Sequence, residues 1–146
     1  MQNLAFQIER SILKIGNQLN NMRNEDLKNR NLTPTQSEAL LFFAEHEGAS
    51  ISELKDHLQI SHQAASKLVE KLKEKHYLYA SISKEDARAN ATFLTTEGKA
   101  VCASLQQTGS SVGSALLQGF SEGEMLQLQR FLDAALKNLK EAEDRI

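Results

Sequence analysis

Residues 50–76 read SISELKDHLQISHQAASKLVEKLKEKH, and this stretch decides the fold. Ser50-Ile51-Ser52-Glu53 is a capping box, a serine that accepts from a backbone N–H and a glutamate placed to return the bond. It opens a short helix with Ile51, Leu54 and Leu58 along one side. Gln59-Ile60 leaves room only for a tight connection. Ser61 caps a second helix running to about His76. Ala65, Leu68, Val69 and Leu72 share one face of it, while His62, Gln63, Ser66, Lys67, Glu70 and Lys73 share the opposite face. Two short helices joined by a tight turn, the second polar at its exposed N-terminal end, make a helix-turn-helix.

Downstream the period changes from helical to alternating. Tyr77–Ile82 places Leu78, Ala80 and Ile82 on one side and reads as a strand. Ser83–Asn90 is polar and charged, and Ala91-Thr92-Phe93-Leu94 reads as the return strand. A hairpin with a basic-tipped loop makes the unit winged. Across 61–99 seven Lys and Arg stand against five Asp and Glu, an excess of two positive charges. The whole chain has 17 basic and 19 acidic residues, a net charge of -2, so any nucleic-acid surface must be local.

Upstream, Thr33-Pro34-Thr35-Gln36 combines an N-cap, a proline at the first helical position and a capping-box glutamine. The next segment, Glu38–His46, is apolar on most faces and reads as a buried helix, closed by Glu47-Gly48. Residues 3–30 carry one narrow stripe, Leu4, Ile8, Ile12, Ile15, Leu19 and Met22. Such a stripe on a long helix suggests an arm that meets a partner chain. Thr95 or Thr96 starts another helix, and Ser121-Glu122-Gly123-Glu124 is a third capping box. Met125, Leu128, Leu132, Ala135 and Leu139 then form a heptad-like seam.

The composition bounds the function. A length of 146 residues, 40% of them hydrophobic and 25% charged, fits a single globular domain. One proline and seven glycines argue against an all-β sandwich or barrel. The lone Cys102 excludes an intramolecular disulfide framework and a Cys-rich zinc module, and it reads as a small buried hydrophobe rather than a redox sensor. His46, His57, His62 and His76 show no ligand spacing, so neither a metal nor another cofactor is expected. There is no Gly-rich phosphate loop, no GxSxG and no HExxH, and an enzyme is not expected. Early charges at the N-terminus argue against a signal peptide, and no apolar run of about 18 residues could span a membrane. A cytoplasmic location is the expectation.

The stretch from Leu32 to Val101 resembles the winged helix-turn-helix of MarR-type transcriptional regulators. The most specific part is Ser83-Lys84-Glu85-Asp86-Ala87-Arg88 followed by Phe93-Leu94-Thr95-Thr96-Glu97-Gly98. It is similar to that family's wing signature, Asp-x-Arg and then Leu-Thr-x-x-Gly. Ile51-Ser52-Glu53-Leu54 and the residues from Ile60 to Leu72 are similar to its helices. The resemblance implies a mainly α fold of about six helices and a two-stranded β-wing. Residues 32–99 would form the DNA-binding lobe, while 3–30 and 100–146 would be dimerisation helices that intertwine two subunits.

The resemblance also implies a function. The chain would be a sequence-specific DNA-binding transcriptional regulator, more often a repressor in this family. It would bind double-stranded DNA at a pseudopalindromic operator as a homodimer, modulated by a small-molecule effector. Ser61, His62, Gln63, Ser66 and Lys67 would lie on the exposed start of the recognition helix. Gln63 would suit adenine, Ser66 a base edge or phosphate, and Lys67 a phosphate. Arg88 would enter the minor groove, Lys84 would meet the backbone, and Asp86 would order the wing. The chain departs from the pattern at His76, where glycine is common, and at Ala80, Ser81 and Ala87, where basic residues are common. Those departures motivate one alternative, a dimeric winged-helix module that binds protein instead of DNA. Another is a regulator gated by a metal or by the thiol of Cys102.

Overall fold

The computed structural model describes residues 3–82 and 90–144. Among them are α1 (Leu4–Asn29), α2 (Pro34–Glu45), α3 (Ile51–Leu58), α4 (His62–Glu74), β1 (Leu78–Ile82), β2 (Asn90–Leu94), α5 (Thr96–Leu116) and α6 (Glu122–Asp144). The mainly helical winged helix-turn-helix read from the sequence is the architecture observed, and no described helix is long and apolar enough to cross a membrane. The chain divides into two compact units, one ending at Leu105 and the other beginning at Gln106.

In the first unit the helix starts are set by side chains. Thr33 and Gln36 exchange bonds of 3.1 Å with each other's backbone N–H, and Ser50 and Glu53 do the same at 3.1 and 3.2 Å. Each box satisfies two N–H groups that a helix start leaves unpaired. Phe43, Leu40, Leu54, Val69, Leu72 and Leu27 are fully or almost fully buried and form the centre of the core. Truncating one such leucine to alanine costs about 2–5 kcal/mol, so this cluster dominates the lobe's stability. Phe42 packs edge-on against Phe43, and the rings of His46 and His57 each lie 4.8 Å from it, centroid to centroid. Two of the four histidines are thereby accounted for as packing partners.

Two arginines tie α1 to this core. Arg23 donates to Glu38 Oε1 at 2.8 Å, Ser37 Oγ at 3.0 Å and the Pro34 carbonyl at 3.2 Å. Arg30 pairs with Asp26 at 3.0 Å and donates to Ser104 Oγ of α5 at 2.8 Å. Only the C-terminal end of α1 is sunk in the core, through Leu27. Upstream, Leu4, Ile8, Ile12, Ile15 and Met22 remain exposed.

The strands pair antiparallel, Leu78 opposite Leu94 and Ile82 opposite Asn90. On its other side β2 meets a single bridge at Ala49, where Thr92 N–H donates to Ala49 and Gly48 N–H donates to Thr92, both at 3.0 Å. Gly48 takes φ +83° to make that approach. The alternation expected along β1 holds for only one residue: Leu78 is buried, whereas Ala80 and Ile82 are exposed. The hairpin runs on past the core, so its period-2 pattern has nothing to bury against.

In the second unit, Ser121 and Glu124 form the third capping box, with bonds of 2.8 and 3.1 Å. The Ser121 backbone N–H, which donates to Glu124 Oε1 at 2.8 Å, and then the Ser121 hydroxyl hold the Glu124 carboxyl below the usual glutamate range. α6 contains no buried residue, and Leu126, Phe131, Leu136 and Leu139 are exposed.

Candidate nucleic-acid interface

The polar face of α4 is built by its start. α3 ends on Gln59, whose φ of 55° and ψ of 48° turn the chain left-handed, and Ile60 N–H closes the turn on Lys55 at 3.2 Å. Ser61 Oγ then accepts from Ala64 N–H at 3.0 Å and starts α4. Ser61 thus serves first as the cap, and its hydroxyl proton stays available to an acceptor.

The helical period sorts the residues of α4 into two faces. Ala65, Val69 and Leu72 are fully buried. His62, Gln63 and Lys67 are exposed, and Ser66 is half-buried at the edge. The residues singled out from the sequence, Ser61 to Lys67, therefore share one end and one side of α4. Gln63 presents an amide with both a donor and an acceptor, the pair that an adenine edge requires. Lys73, further along, is engaged by Glu70 at 3.2 Å, whereas Lys67 has no carboxylate partner among the described residues.

α4 ends at Glu74, just short of the His76 at which the sequence places its end. Lys75 is the C-cap and His76 takes φ 66°, the left-handed conformation that explains why glycine is common at this place in the family pattern. Thr95 Oγ1 donates to the His76 carbonyl at 2.6 Å and accepts from Gly98 N–H at 3.0 Å. The end of α4 is thereby joined to the start of α5, with the wing strands between them.

Lys84, Asp86 and Arg88, assigned to the wing by sequence pattern, lie outside the described residues. The described part of the wing is apolar rather than basic: Tyr79 stacks on Phe93 at 5.5 Å, and Tyr79 and Ile82 are exposed. Cys102 is 3% exposed and its thiol donates to the Leu40 carbonyl at 3.4 Å. Burial pushes its pKa up to about 11, away from the reactive range. Among the described residues no three His, Cys, Asp or Glu side chains gather as a metal site would need. In the sequence Lys75 is one charge among the seven Lys and Arg of 61–99. Its ammonium is in fact bonded to the Asn31 carbonyl and to Gln36 Oε1, and only tertiary contact reveals this.

Residues 30–89 match the model of the MarR family. No curated protein matches the sequence. The fold is shared with Streptococcus pneumoniae FabT in complex with DNA, at 15% identity over 94% of this chain and 99% of that one, with a TM-score of 0.84. A putative MarR family transcriptional regulator from Listeria monocytogenes, complexed with 26mer DNA, is 23% identical. The match spans 97% of this chain and 92% of that one, with a TM-score of 0.77. The S. aureus MepR–DNA complex is 21% identical over 88% of this chain and 93% of that one, with a TM-score of 0.73. At these identities the likeness is one of fold.

Proposed function

We propose, from the match of residues 30–89 to the model of the MarR family, that this chain is a sequence-specific DNA-binding transcriptional regulator. The observation that carries the reading is the two-faced α4. Ala65, Val69 and Leu72 anchor it in the core, while Gln63 and Lys67 stand exposed at its capped end. A rigid helix with its N-terminal polar face free is what a major groove about 12 Å wide admits. Gln63 reads a base edge, Ser61, Ser66 and Lys67 position the helix on the duplex, and Lys84 and Arg88 extend the contact into the wing. Several structures of the same fold are DNA complexes, which supports the same role for this chain.

The working form in this proposal is a homodimer. The exposed stripe of α1 and the exposed α6 leave more apolar surface than a lone chain normally tolerates. A two-fold dimer binds a pseudopalindromic operator with half-sites about one helical turn apart. Repression, and relief of it by a small effector that favours one spacing of the lobes, complete the proposal.

Selection of duplex DNA from a random pool by the purified protein tests it. The expected result is an inverted repeat bound with an affinity that falls steeply as salt rises. Weak binding with no enriched motif would count against operator recognition. It would favour a second reading, a dimeric winged-helix module that docks a protein. The exposed Tyr79 and Ile82 on the wing strand are what favour that alternative.

A further inference from the structure

Between the end of α1 and the flank of α4 lies an open cavity of about 670 Å³. It belongs to the first unit and includes none of Ser61, His62, Gln63, Ser66 or Lys67, although Lys71 stands one turn beyond Lys67 on the same side of α4. Its ten lining residues include Lys28, Lys71 and Lys75 and no carboxylate, in a chain whose acids outnumber its bases. Leu27, Leu32 and Pro34 supply an apolar wall.

The three lysines differ in how they are held. Lys75 donates to the Asn31 carbonyl and to Gln36 Oε1, which fixes its ammonium at the cavity edge and leaves one of three N–H groups for a ligand. Asn31 sits at φ 57°, so the lysine also secures a left-handed turn. Lys28 and Lys71 have no carboxylate partner among the described residues, unlike Arg23, Arg30, Lys55 and Lys73. Three like charges around one cavity repel one another, and a compact multivalent anion relieves that repulsion. Ammonium groups act as point charges and suit a phosphate approached from several sides.

We infer that this cavity binds a small organic phosphate ester, the phosphate among Lys28, Lys71 and Lys75 and the organic part against Leu27, Leu32 and Pro34. A DNA backbone is the less fitting occupant. The site is concave, and its fixed lysine, Lys75, lies about 20 Å along the helix axis from Ser61, with only Lys71, about 6 Å beyond Lys67, near the residues assigned to DNA.

The probe is phenyl phosphate, titrated into the full chain without DNA and followed by calorimetry and backbone amide NMR. Saturable binding is expected, with shifts centred on Asn24, Lys28, Asn31 and Lys71. Lys28→Gln and Lys71→Gln each weaken it about tenfold, the scale of one charged hydrogen bond. Both side chains are exposed, so these variants keep the fold, whereas Lys75→Gln would also loosen the α1–α2 turn. Inorganic phosphate binds more weakly than the ester, and benzyl alcohol causes no shift. The inference is overturned by no saturable binding up to millimolar ester, by affinity indifferent to Lys28 and Lys71, or by shifts confined to Ser61–Lys67. In a separate competition, displacement of bound ester by duplex DNA that Lys28→Gln abolishes would also overturn it, identifying the cavity as a backbone contact. The titration contains no DNA, so its failure is separate from any failure of the operator proposal.

Discussion

Gly98 of α5 stands directly against the backbone carbonyl of Tyr77. A methyl group built on its α-carbon would overlap that oxygen, and would lie 3.0 Å from the carbonyl carbon and 3.2 Å from Leu94 Cδ2. The same carbonyl accepts from Thr95 N–H at 3.0 Å, so neither partner can retreat without breaking a bond. The glycine of the Leu-Thr-x-x-Gly pattern is therefore required by close approach. It seats α5 on the connection between α4 and the wing.

Gly98→Ala should destabilise the lobe by about 1–3 kcal/mol or more, because rigid backbone, not a movable side chain, meets the added carbon. Urea unfolding followed by circular dichroism measures it. An unchanged midpoint would show that α5 can slide away from Tyr77 at no cost.

Gln63 and Lys84 should separate two kinds of DNA contact. Gln63→Ala should lose about 1–3 kcal/mol of discrimination at one base position. Lys84→Ala should weaken all sequences alike and lower the salt slope by about one unit. Competition with single-substituted operators, repeated over a salt series, reads both. Equal losses on specific and random DNA for the two variants would remove α4 as the reading helix. Arg88→Ala, measured on operators with A·T and G·C flanks, tests minor-groove entry separately.

Ile12 lies in the middle of the α1 stripe and is 47% exposed in the single chain. Ile12→Lys should leave the lobe folded and shift the protein towards monomer, since an unpaired ammonium buried in a dimer seam is costly. Sedimentation velocity against concentration detects the shift. A variant that sediments as the wild type would place the dimer contact elsewhere.

Cys102 should be inert while the chain is folded. With its pKa raised from an ordinary value of 9.0 to about 11, only about one thiol in a thousand is ionised at pH 8. A disulfide reagent should therefore react at the rate of unfolding. The raised folded-state value sets the sign of the linkage. The stability contributed by the neutral thiol is fully present below pH 9 and is lost as pH rises towards about 11. Cys102→Ser should flatten that alkaline decline in thermal melts, because serine does not titrate there. Rapid labelling at pH 8 in native conditions would contradict the burial.

The sequence by itself determined the elements and most of their boundaries. Three capping boxes, at Thr33, Ser50 and Ser121, are local exchanges between a side chain and the backbone a few residues away, and each lies where the pattern placed it. The two faces of α4 were equally legible, because a period of 3.6 residues fixes which side chains point together. Tertiary structure alone decided how far those patterns are used. Ala80 and Ile82 alternate like core residues yet are exposed, since burial depends on what lies opposite and not on the strand's own period. The same holds for Lys75, which no local rule pairs with Asn31, 44 residues away, and for Gly98, whose need to be glycine arises only where Tyr77 crosses it. Local hydrogen bonding and periodicity are written within a few residues of chain. Which distant groups meet, and so where a cavity lined by three lysines appears, is set only when the core closes.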